Sequence, residues 1–143
     1  MPQTDATEKP RPIVELVWEH DLVLSGHAGG VAMTLDSASE AGPSPMQTLA
    51  FALAGCMAMD VVHVVKKGRY NLRGLRADLS GRRAPTEPKR FTAFTLHFMV
   101  TGDVPDDKVA RAIELSKEKY CSVWHSMRED IELDVTYTVT TGV

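Results

Sequence analysis

The stretch LAFALAGCMAMDVVHVV, residues 49 to 65, is an almost unbroken apolar run, and it restricts the fold more than any other segment of the chain. Just before it, SPMQ supplies a helix start: Ser44 as N-cap, Pro45 as a first helical residue with no amide to satisfy, and Gln47 as the return partner of a capping box. After it, Lys66 and Lys67 suit the negative end of the helix dipole, and Gly68 is placed for a left-handed C′ position. A helix from about Pro45 to Lys67 is therefore predicted, roughly 33 Å long. Being apolar nearly all round, it must be covered on several sides. Asp60 and His63 interrupt the run, and residues 49 to 59 alone fall short of the about 20 that a bilayer crossing needs. It is read as a buried core helix, and no membrane partner is expected.

A single chain of 143 residues would struggle to wrap such a helix, which argues for a second subunit. Residues 1 to 12 are polar and proline-rich and are expected to form a loose tail, leaving residues 13 to 143 as one domain. IVELVW, LVLSG and VAMTLD read as short antiparallel strands joined by tight turns. LRGLRADLSGRRA and RFTAFTLHFMVTG follow the helix as two strands separated by PTEP; in the second, Phe94, Leu96, Phe98 and Val100 share a face. A second helix is predicted from about Pro105 to Tyr120, with Val109, Ile113, Ser116 and Tyr120 inward. CSVWHSMR reads as a short helix or turn. IELDVTYTV closes the chain as a strand with Ile131, Leu133, Val135, Tyr137 and Val139 on one side. The order βββ–α–ββ–α–β defines an α+β domain in which antiparallel sheets cover a long helix.

A formal charge of −3 gives no global positive field, so nucleic acid is not an expected partner. Two cysteines are too few for a secreted disulfide scaffold. The N-terminal residues show neither the apolar core of a signal peptide nor a transit-peptide pattern, so the expected location is the cytoplasm, with both thiols reduced.

GPSPMQTLAFALAGCMAMDVV, PKRFTAFTLHFMVTGDV and RAIELSKEKYCSV together carry a resemblance to the family of osmotically inducible protein C and the organic hydroperoxide resistance proteins. Within it, the SPM at the helix start is similar to a less characterised branch. The resemblance implies an OsmC-like fold, an intertwined homodimer with the long helices central, and thiol-dependent reduction of organic hydroperoxides. It further implies that Cys56 is the peroxidatic and Cys121 the resolving cysteine. An external dithiol, of lipoyl type, would be the reductant, with no bound cofactor. The chain departs from the peroxidase pattern in two places: Met46 follows the opening proline where those proteins place glutamate, and VWEHDLVL offers no arginine to match theirs.

Two-cysteine chemistry needs a thiolate, a nearby partner to condense with the sulfenic acid, and donors or positive charge around the attacking sulfur. Cys56, Asp60 and His63, spaced four and then three, share one helix face. Cys121 stands where the second helix ends, where free amides favour a thiolate, and His125 lies one turn beyond it. Arg90 and Arg128 are candidate replacements for the missing arginine. Gln47, Asp60, His63, His125 and Arg128 are thus the candidates for supporting roles, and Met46, Met57, Met59 and Trp124 for an apolar pocket. Two alternatives stay open. One is a noncatalytic dimer that binds a hydrophobic small molecule. The other is a zinc site built on Cys56, Asp60 and His63 with Cys121 or His125 as a further ligand. Plain core packing would explain a buried Cys56 as well.

Overall fold

The structure, a computed structural model, describes residues 12–141. The expected tail lies almost wholly outside the described residues. By its contacts the chain divides into two compact units, one ending at Thr48 and the other beginning at Leu49.

In the first unit, β1 (Glu15–His20), β2 (Val23–Ala28) and β3 (Val31–Asp36) form an antiparallel sheet in that order. The connecting turns take the left-handed conformation at Asp21 (φ 45°) and Gly29 (φ 59°), residue types that tolerate it. β3 ends on Asp36, whose buried carboxylate accepts the amide N–H groups of Ala38, Glu40 and Ala41 at 2.9, 3.2 and 2.9 Å. Those bonds organise the loop that follows and hold the Asp36 carboxyl below its ordinary range. Leu16, Val17, Trp18, Val31 and Met33 are each at least half exposed, so this sheet has little core of its own.

α1 (Pro45–Lys67) begins as the sequence predicts. The Gln47 amide donates to Ser44 Oγ at 3.1 Å, and the Ser44 amide donates to Gln47 Oε1 at 2.9 Å, which closes the capping box. The other end corrects the expectation. Arg69, not Gly68, occupies the left-handed C′ position, with φ 65°. The Arg69 amide bonds to the Lys66 carbonyl and the Tyr70 amide to the Val65 carbonyl, the two bonds of a Schellman motif one residue later than predicted. Gly68 is needed for closeness instead, since a Cβ there would stand 2.8 Å from the Tyr70 ring.

In the second unit, β4 (Asn71–Arg83), β5 (Phe91–Asp103) and β6 (Glu132–Thr140) make a sheet in the order β4–β5–β6. β4 and β5 are antiparallel, with Leu75 opposite Val100 and Leu79 opposite Leu96. β5 and β6 run parallel, with Leu96 beside Val135, so the expectation of purely antiparallel sheets fails at this pair. The cause is the connection: a parallel pair needs a crossover, and α2 (Asp106–Leu115) with the segments after it supplies one. The core joins Leu53, Met57, Val61 and Val65 of α1 to Phe94, Leu96, Phe98 and Val100 of β5 and to Val109, Ala112 and Ile113 of α2. Only that one stripe of α1 is buried. By length and composition alone α1 could cross a membrane, yet its buried side packs on strands like any core helix. Phe51 and Met59 on the same helix are 72% and 73% exposed.

Candidate active site

α2 does not run on regularly to Tyr120. It widens at Ser116–Tyr120 into a π-helical turn, in which the Cys121 amide bonds the Ser116 carbonyl at 2.8 Å. An α-helical count from Ser116 would bring Tyr120 onto the inner face. The wide turn adds one residue, so Tyr120 stands 48% exposed and Cys121 is fully buried instead. Cys121 then caps the short helix α3 (Ser122–His125), its Sγ accepting the Trp124 amide N–H at 3.4 Å.

The helical spacing of α1 places Cys56 and Asp60 one turn apart, facing this turn. Cys56 Sγ, a carboxylate oxygen of Asp60 and Cys121 Sγ all lie within 4.8 Å of one another. Both cysteines are free thiols; Cys56 is half-buried and Cys121 buried. The Ser116 hydroxyl, from the π-helical turn, donates to Asp60 Oδ2 at 2.8 Å and holds the carboxylate in place. Two residues brought inward by the same turn thus address the site, one with its sulfur and one with its hydroxyl.

Burial pushes the Cys121 thiol up to about 11. The Trp124 amide works in the opposite direction, while the hydrogen bond and charge of Cys56 and the charge of Asp60 add to the rise. The amide anticipated from sequence is present, but desolvation outweighs it. Cys121 therefore holds its proton, and Cys56 is the more exposed of the two sulfurs.

The other sequence candidates fall elsewhere. His63 is outside the thiol cluster; it lines, with Asp60, Val64, Lys67, Leu115 and Tyr120, an open concavity of about 590 Å³. Gln47 spends its side-chain oxygen on the capping box and on the Ser39 hydroxyl. The exposed His125 meets Cys121 through its backbone amide, bonded to the Cys121 carbonyl at 3.1 Å. Arg128 grips Asp130 with two hydrogen bonds of 2.9 and 2.7 Å, and Arg90 approaches the same carboxylate at 3.6 Å, so both arginines serve the loop before β6. Met57 is a fully buried core residue rather than a pocket wall, and Trp124 packs against that core. Met59 is exposed and lines a shallow concavity with Ala58, Val62, His63 and Lys66, while Met46 is half-buried near the start of α1. Sequence reading missed Ser116 as a partner of the site, because its inward position pointed only to packing.

The family model described as OsmC-like protein matches residues 36–136. Protein YhfA of Escherichia coli K12 is 38% identical over 121 residues, which span 84% of this chain and 83% of that protein. A hypothetical protein from Aquifex aeolicus superposes with a TM-score of 0.82 at 27% identity, covering 89% of this chain and 94% of the other. An organic hydroperoxide resistance protein from Legionella pneumophila shares the fold at a TM-score of 0.66 and 16% identity, over 89% and 96% of the two chains. The matched region holds α1, the π-helical turn and both cysteines, and on that correspondence the chain belongs to the OsmC-like family.

Proposed function

We infer that the protein reduces organic hydroperoxides with Cys56 and Cys121, as part of a defence against oxidative stress. The observation that carries this reading is the meeting of the two sulfurs: residues 65 positions apart in sequence stand within 4.8 Å. Cys56 is the half-buried thiol and attacks the distal oxygen of the peroxide. The O–O bond breaks, the alkoxide leaves as alcohol after taking a proton, and Cys56 becomes a sulfenic acid. The Cys121 sulfur then attacks Cys56; its own proton leaves with the displaced hydroxide as water, and a disulfide forms. An external dithiol returns both thiols by exchange, becoming a disulfide itself. The buried Cys121 thiol suits the second step, because it waits as a protonated partner until a sulfenic acid appears beside it.

The functional unit in this reading is a cytoplasmic homodimer. Its support is the apolar surface that each chain leaves open, above all Phe51 and Met59 on α1 and Leu16, Val17 and Trp18 on β1.

Treating fully reduced protein with one equivalent of an organic hydroperoxide and following its mass over time tests the chemistry. Wild type is expected to lose two hydrogens as the Cys56–Cys121 disulfide forms. Cys121→Ser is expected to hold a sulfenic acid that a dimedone-type reagent traps, and Cys56→Ser to do neither. Equal, slow peroxide consumption by wild type and Cys56→Ser would sink the assignment.

A further inference from the structure

A thiol that attacks peroxide is ordinarily assisted by positive charge. Here the charged group in the cluster is a carboxylate: Asp60, fixed by Ser116, shares a space within 4.8 Å with both sulfurs. The two arginines that could have supplied the cation are turned to Asp130. The carboxylate charge therefore faces both thiols at close range. Two soft sulfurs and one hard oxygen that converge with that charge make a donor set suited to a borderline-soft dication.

We propose that the reduced site binds one zinc-like divalent cation through Cys56 Sγ, Cys121 Sγ and the Asp60 carboxylate, and that this metal regulates the thiol pair. The regulatory part rests on the redox reading above, whereas the metal site stands independently of it. Ligands about 2.3 Å (sulfur) and 2.1 Å (oxygen) from a tetrahedral zinc stand roughly 3.6 to 3.8 Å apart. The present cluster, with its ligand atoms within 4.8 Å of one another, is at most about 1 Å wider than that. Of the ligands anticipated from sequence, Cys56, Asp60 and Cys121 converge, and His63 stands outside the cluster. Three protein ligands leave a fourth position open, and Asp60 also lines the 590 Å³ concavity through which water or metal reaches it. Ser116 then plays the outer part, orienting a ligand through its hydroxyl.

Metal and disulfide exclude one another, because each needs the same two sulfurs. The balanced exchange is a metal-bound dithiolate plus hydroperoxide plus two protons giving the free dication, the disulfide, the alcohol and water. The thiolates lose two electrons, and the peroxide oxygens accept them. Bound metal therefore shields the thiols, and an oxidant that overcomes it releases the ion.

The test adds cobalt(II) as a spectroscopic probe to the fully reduced, full-length protein, followed by competition with zinc. One equivalent is expected to bind with a thiolate-to-metal charge-transfer band, and zinc is expected to abolish the band. The band is expected to vanish in Cys56→Ser, in Cys121→Ser and in wild-type protein carrying the disulfide, which is an unmutated control for folding. Ser116→Ala is expected to keep the band while weakening affinity by roughly 10- to 100-fold, and Asp60→Asn to weaken it further. Absence of the band in reduced wild type, or affinity unchanged by Asp60→Asn, would overturn the proposal. Metal binding without hydroperoxide-driven disulfide formation would leave the metal site standing and remove only the redox reading.

Discussion

At the scale of single residues, the two carboxylates with the clearest surroundings behave oppositely. Asp60 sits beside sulfurs and takes its hydrogen bond from a neutral hydroxyl, so its charge is left available to the site. Asp130 is tied up: the Arg128 guanidinium bonded to it, helped by the charge of Arg90, holds its carboxyl near 2, below the ordinary 3.8. A carboxyl lowered on folding adds stability above the unfolded value and loses it as pH falls through the folded one. The thermal midpoint of Asp130→Asn is therefore expected to lie below that of wild type at pH 5 to 7. The gap should close as the pH falls from about 4 to about 2. Both partners are largely exposed, so the gap should be small and should shrink in high salt. A gap that grew on acidification would show the pair to be unimportant.

At the scale of elements, the start of α1 was fully legible because it depends on neighbours in sequence: Ser44, Pro45 and Gln47 do their work within one turn. The strands after α1 were legible from alternation, and Phe94, Leu96, Phe98 and Val100 are the buried face of β5 as predicted. What escaped was set by tertiary structure or by a single-residue irregularity. The parallel pairing of β5 with β6 is a choice of partner, which periodicity does not encode. The π-helical turn carries no composition signal in SKEKY, and without it the expected inward residue is Tyr120 and the site has no second sulfur. Cys56 and Asp60 were legible as a pair by spacing and Cys56 with Cys121 through the family resemblance, whereas the part of Ser116 was not. The buried stripe of α1 makes a quantitative prediction. Leu53→Ala should cost about 2–5 kcal/mol in urea unfolding, since Leu53 is fully buried between α1 and the sheet. A loss under 1 kcal/mol would mean that this stripe is not the core contact.

At the scale of the whole molecule, Phe51 is the counterpart of Leu53: it lies on the same helix but is 72% exposed in one chain. In the homodimer reading its ring is covered by the second subunit. Phe51→Glu is then expected to move the sedimentation profile from dimer to monomer at micromolar protein, while the unit from Leu49 onward keeps its strand and helix content. Unchanged dimerisation would place the interface elsewhere, and a wild-type monomer at every concentration would remove it. The core of that unit has one more consequence, because the strand that covers α1 comes later in the chain. β5 begins 24 positions after α1 ends. At about 5–20 residues per second, a ribosome makes that strand roughly one to five seconds after the helix has been completed. During that interval the nascent chain carries a long apolar helix without the β5 strand that buries its stripe in the finished protein, and Cys121 has not yet been synthesised. Newly made chains thus offer a chaperone an apolar binding segment well before their two thiols can meet.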